Sequence, residues 1–192
     1  VHAAKFVNNS DLVVHIGDLS YATGYESEWS LFMDQITNMA AHLPNMTGQG
    51  NHERDFPDSG DMWGVYDSGG ECGIPTQTRF NMPVDRGYSQ DDGWYSFDQG
   101  PIHFVMMNTE MSCDAGTRQI AWIENDLSRV DRTITPWVVF MGHRQMYSTY
   151  NPEPDQVCPD TLEPLLLKYK VDLALWGHIH YALLTCPVYQ GK

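Results

Sequence analysis

The stretch VVHIGDLSY, Val13 to Tyr21, is an apolar run that stops on a Gly-Asp pair. LALWGHIH, Leu173 to His180, is a second apolar run and stops on Gly-His. Between them GNHE, Gly50 to Glu53, follows the weaker run 45–49, and His143 follows the continuous apolar run WVVFM at 137–141. In open α/β sheets, ligands bind at the loops that leave the carboxyl ends of strands. Loops carrying Asp, Tyr, Asn and His at such ends are what a bound metal pair needs.

Working outward, 11–16 (DLVVHI) reads as a buried strand. Residues 28–41 read as a helix, because Trp29, Phe32, Met33, Ile36, Met39 and Ala40 recur at spacings of three and four. Ser27 is the expected cap. The segment 54–92 is rich in Gly, Pro, Asp and Ser and reads as a long excursion with little regular structure; a loop of that length in a compact domain is usually functional. Residues 94–98 and 102–108 read as paired strands across the turn Gln99-Gly100-Pro101. A helix follows at 116–130. Another is expected at 160–170, starting at Asp160 with Pro164 in its first turn. Residues 171–176 read as a strand, and 181–189 as one more. Strands alternating with helices make this α/β, one domain over 1–192 with no internal repeat.

The composition of the 192 residues is that of an ordered globule, 42% hydrophobic and 19% charged. The net charge of −14 repels nucleic acid and anionic membranes, so neither is an expected partner. A small phosphate ester is compatible, because bound cations dominate the local field of a metal site. No apolar run approaches the roughly 18 residues of a membrane span. The four cysteines, Cys72, Cys113, Cys158 and Cys186, include no CxxC pair; at least one disulfide is expected, involving Cys72 or Cys186. Asn8-Asn9-Ser10 and Asn45-Met46-Thr47 fit the glycosylation sequon, the second inside a strand where sugar is not expected.

Six side chains carry the chemistry. A carboxylate such as Asp18 bridges two cations, and the Tyr21 phenolate suits a hard trivalent ion. Asn51 offers a neutral amide oxygen, and His143, His178 and His180 offer imidazoles. Mixed N/O ligation suits Fe, Zn or Mn rather than a calcium cage. Each block alone is weak, since a lone His after a strand is usually structural; their joint occurrence at strand ends is what argues for a site. His15 reads as a core residue or a support behind the ligands, and His2, His42 and His103 read as structural. No GxSxG and no glycine-rich phosphate loop with Lys is present.

Those blocks resemble four of the five blocks of the purple acid phosphatases, members of the calcineurin-like metallophosphoesterases. IGDLSYATGY, GNHERDFPDSG, DSGGECGIP, KYKVDLALWGHIH and TCPVYQ extend the likeness to the long plant-type branch, including nucleotide pyrophosphatase/phosphodiesterase-like forms. The resemblance implies a four-layer αββα sandwich that is incomplete here, because the first block, a DxG aspartate on the opening strand, is expected upstream of Val1 in a longer precursor. It implies that Asp18 bridges Fe(III), bound by Tyr21 and His180, and a divalent Zn, Mn or Fe, bound by Asn51, His143 and His178. His52 is expected outside the ligand set, near the leaving oxygen. Arg144 stands where the family often has a histidine, and it is a candidate phosphate contact. Phe140 also departs from the usual VxxH pattern, and Ala182-Leu183-Leu184 from the usual run after GHIH. The expected reaction is phosphomonoester hydrolysis by an activated hydroxide, in a secreted or secretory-pathway protein. A diesterase or pyrophosphatase using the same metals, or a non-catalytic secreted domain that retains the fold, are the alternatives.

Overall fold

The computed structural model describes residues 9–149 and 157–190. His2 and Asn8 of the first sequon lie outside the described residues. The elements run β1 (Val13–Ile16), α1 (Glu26–Ala40), β2 (Asn45–Gly48), α2 (Asn51–Arg54), α3 (Ile74–Arg79), β3 (Tyr95–Gln99), β4 (Ile102–Met106), α4 (Arg118–Leu127), β5 (Trp137–Met141), α5 (Pro159–Lys168) and β6 (Leu173–Leu175). β1 and β2 form a parallel pair; β3-β4-β5-β6 form a second sheet, parallel except for the β3–β4 hairpin.

Strand periodicity decides the layers, since successive side chains point to opposite faces. Val105, Val138 and Phe140 face outward into a cluster with Ile120 and Ile123 of α4 and Leu162 and Leu166 of α5. Met106, Val139 and Met141 face inward and pack with Val14, Ile16 and Met46 of the first sheet. The outer side of that first sheet is covered by α1, where the buried Trp29 packs with Leu19, Ala22 and Phe80. His15 points to this side, its ring 6.0 Å from Phe32, and burial lowers its pKa. The order is helix, sheet, sheet, helix, the αββα sandwich. All parallel strands deliver their carboxyl ends to one rim. The two sheets are tied there by His143 Nδ1, 2.9 Å from the Ile16 carbonyl oxygen.

Several local expectations are corrected. α1 starts at Glu26 after Tyr25, and no side chain caps it; Ser27 lies inside the first turn, where Glu26 and Glu28 complement the helix dipole. The excursion 54–92 contains the short helix α3, which begins with Ile74-Pro75. α5 begins at Pro159, so Pro164 is its sixth residue rather than part of its first turn, and the helix forgoes one internal hydrogen bond. Residues 181–189 form bends and no strand. The disulfide joins Cys113 to Cys158, while Cys72 and Cys186 are free. Cys113 enters the core after β4 and Cys158 precedes α5; packing both segments on the second sheet brings their Cα atoms to 6.0 Å, within bonding range. Spacing along the chain does not encode that approach.

His103 shows how a histidine outside the site acts structurally. On β4 it is clamped by Asp98 at 2.6 Å and Asp126 at 3.0 Å. Burial opposes charging of the ring, but the hydrogen bonds and charges of Asp126 and Asp98 outweigh it and raise its pKa above 6.5. A raised histidine contributes stability that is complete below its unfolded pKa and is lost as pH rises through the folded value. His103→Gln is therefore expected to remove part of the stability lost between pH 6 and pH 9. Denaturant melts at both pH values test it, and an unchanged pH dependence in the variant would refute it.

Candidate metal centre

Each of the four strand ends supplies one part of the centre. Ile16 leads through Gly17 to Asp18, β2 leads to Gly50 and Asn51, β5 leads through Gly142 to His143, and β6 leads to Gly177 and His178. Asp18, Tyr21 and His178 adopt left-handed backbone angles, with φ of 54°, 52° and 65°. Such conformations cost on the order of 1–3 kcal/mol each and cluster at functional sites. The glycines allow close approach. A Cβ on Gly50 would stand 2.5 Å from Asp18 Oδ1, and one on Gly17 would stand 2.6 Å from His143 Nδ1.

The predicted residues come together in two groups that meet at Asp18. Asp18 Oδ1 lies 3.2 Å from His143 Nε2. Asn51 Oδ1 lies 3.0 Å from both His143 Nε2 and His178 Nδ1. Asp18, His143 and His178 have ligand atoms all within 4.8 Å of one another. On the other oxygen, Tyr21 donates its hydroxyl to Asp18 Oδ2 at 3.0 Å, and the same hydroxyl is 3.0 Å from His180 Nε2. This second group is more open to solvent: Tyr21 is 42% exposed and His180 is exposed.

These spacings fit a metal. Two donors about 2.0–2.1 Å from one ion at tetrahedral angles stand about 3.3 Å apart, close to the 3.0–3.2 Å edges of the first group. The Ile16 carbonyl only accepts, so His143 Nδ1 carries the hydrogen and Nε2 is the nitrogen turned inward, the arrangement ligating histidines use. Burial pulls the Asp18 carboxyl upward, but His143 and His52 outweigh it and hold it at about 2. Burial raises the Tyr21 phenol, reinforced by Asp18 and Glu53, so it ionises only with a cation beside it.

His52 stands outside the ligand set. Its backbone N–H donates to Asp18 Oδ1 at 3.3 Å, and its ring packs on Tyr21 with centroids 4.4 Å apart. Its Nδ1 is buried without a hydrogen-bond partner among the described residues. Arg144 is 3% exposed. Its Nε donates to Glu110 at 2.8 Å, its Nη2 donates to Asp55 at 2.9 Å, and its guanidinium lies 4.3 Å over the Trp63 ring. Its Nη1 is 3.2 Å from His178 Nε2.

Sequence reading missed Glu53. It is fully buried and accepts the N–H groups of Asp18 and Leu19 at 2.7 Å and of Gly50 at 3.0 Å, binding two site loops together. Burial and the Asp18 charge push its pKa up to about 7 despite those bonds. The signal was available: a glutamate three residues after a cap residue reaches back to the cap N–H. Asp55 and Glu110, both fully buried, had no such signal.

The model of the calcineurin-like phosphoesterase family matches residues 1–182. The chain is 43% identical to probable inactive purple acid phosphatase 27 of Arabidopsis thaliana, over 98% of this chain and 31% of that protein. It is 39% identical to a nucleotide pyrophosphatase/phosphodiesterase of Hordeum vulgare, over 97% of this chain and 52% of the relative. Purple acid phosphatase isolated from yellow lupin (Lupinus luteus) seeds superposes with a TM-score of 0.91 at 41% identity, covering 97% of this chain and 34% of that one. The chain thus spans about a third to a half of the length of these relatives. With the αββα fold and the family match over nearly its whole length, the chain, which is similar to plant purple acid phosphatases, belongs to the calcineurin-like phosphoesterase family.

Proposed function

We propose that this domain binds two metal ions and hydrolyses small phosphate esters, phosphomonoesters foremost. One observation carries the reading: the two oxygens of Asp18 face two different donor groups, as a bridging carboxylate must. Asp18, Tyr21 and His180 would hold Fe(III). Asp18, Asn51, His143 and His178 would hold divalent Zn, Mn or Fe. Bound there, the cations supply charge to neutralise the phosphoryl oxygens and lower the pKa of water. The protein's own groups do the rest. His143 is fixed through Ile16, Glu53 holds the Asp18 loop against the Asn51 loop, and His52 protonates the leaving oxygen. Arg144, its charge paired with Glu110 and Asp55, stands behind His178 with Nη1 3.2 Å from Nε2.

The name of the barley relative favours a second reading, a diesterase or pyrophosphatase on the same site. Several relatives are named probable inactive, which keeps the non-catalytic alternative in view. A secretory location is supported by the Cys113–Cys158 disulfide. No described helix is long and apolar enough to cross a membrane.

Metal analysis of the full-length protein tests the reading. Two equivalents are expected in the wild type. His180→Ala is expected to lose iron alone, His178→Ala the divalent ion alone, and Asp18→Ala both. Loss of a single ion in Asp18→Ala would refute the bridge. Turnover of a phosphomonoester against a diester separates the two enzymatic readings, and neither turnover nor metal would favour the scaffold.

A further inference from the structure

We infer that Asp67 is a positioning residue that turns the Asn51 amide so that its oxygen, not its nitrogen, faces the metal centre. The inference rests on the two-metal reading above. The two ends of a carboxamide have the same shape, so packing cannot choose between them; hydrogen bonds must. Asn51 is 4% exposed, with Oδ1 3.0 Å from each of two imidazole nitrogens. Its Nδ2 lies 2.9 Å from Asp67 Oδ2. A carboxylate only accepts, so only the amide nitrogen can face Asp67. The flipped amide would press its oxygen against that carboxylate and aim N–H groups at both imidazoles. Asp67 is therefore what makes a neutral amide usable as an oxygen donor.

The excursion 54–92 holds Asp67 in place. Next to it, the buried Ser68 donates its N–H to the Asp55 carbonyl at 3.0 Å. Glu71, also buried, accepts from Gly24 N–H at 2.9 Å and from Trp29 Nε1 at 3.0 Å. Gly69 packs so closely on the Thr23 carbonyl that a Cβ there would stand 2.2 Å from its oxygen. The excursion is thus fastened to the loop that carries Asp18 and Tyr21, and it reaches Asn51 on the adjoining loop through one carboxylate. Residues of this supporting kind commonly affect metal affinity by about 10–100-fold.

The test is Zn²⁺ affinity of the full-length protein by chelator competition, with unfolding midpoints recorded alongside. Asp67→Ala is expected to weaken binding by about 10–100-fold at an unchanged midpoint. Asp67→Asn keeps the volume and an accepting oxygen, so a smaller loss is expected; it also serves as the readable variant should the alanine not fold. Affinity of both variants within about twofold of wild type would overturn the inference. Asn51→Leu marks the site itself: if it binds Zn²⁺ like wild type, the two-metal reading fails. The Asn51 side-chain amide resonances then decide Asp67 separately. Movement in Asp67→Asn supports the contact, and unmoved resonances overturn it.

Discussion

Replacing His52 by alanine is expected to lower phosphoester turnover of the full-length protein by about 10²–10⁴-fold, the usual contribution of a general acid, while metal content stays intact. The ring packs on Tyr21, Nδ1 is buried without a partner among the described residues, and the imidazole is not in the Asp18–His143–His178 group. It can therefore carry a proton without surrendering a ligand. The loss should be larger for esters with poor leaving groups, which depend most on protonation. Equal losses for good and poor leaving groups would reject the acid role. Loss of metal would make His52 a ligand or a support for one; its backbone contact with Asp18 is made by the N–H, which alanine keeps.

Arg144→Met is expected to cost about 3–5 kcal/mol of stability, the range for breaking a buried ion pair. Methionine fills much of the volume but leaves Asp55 and Glu110, both fully buried, without their cation. Burial and the Glu110 charge already raise the Asp55 carboxyl well above its ordinary value, and Arg144 works against them. Removing Arg144 raises it further. A carboxyl raised in the folded state stabilises most where it is protonated, and that contribution is lost as pH rises from its unfolded toward its folded pKa. In the wild type Asp55 gives up its proton only at about 9, so the penalty should be larger at pH 10 than at pH 7. Denaturant melts at the two pH values measure it, and a loss below about 1 kcal/mol at both would mean that the network contributes little.

The expectations that succeeded came from local patterns. Apolar runs ending on glycine marked β1, β5 and β6, because a strand must leave the sheet where its apolar residues stop and glycine permits the turn. The spacing of Trp29, Phe32, Met33 and Ile36 marked α1, because a helix buries one face every three to four residues. The α1 start and the Pro164 position were misread because caps and helix phase depend on where neighbouring segments pack. The metal-binding roles of Asp18, Tyr21, Asn51, His143, His178 and His180, and the catalytic role of His52, remain for the metal and turnover experiments.

From its own residues the chain determines the α/β alternation, the strand ends that carry the candidate donors and the net charge of −14. Only the tertiary structure decided which cysteines meet, that Arg144 is buried between Asp55 and Glu110, and that Glu53 and Asp67 serve the site loops. These choices join residues far apart along the chain: Asn51 meets His178 across 127 positions, and Asp55 meets Arg144 across 89. Local propensity acts over a few residues and is silent at such separations. There the arrangement is set by sheet-on-sheet packing and by the need of every buried charge and amide for a partner.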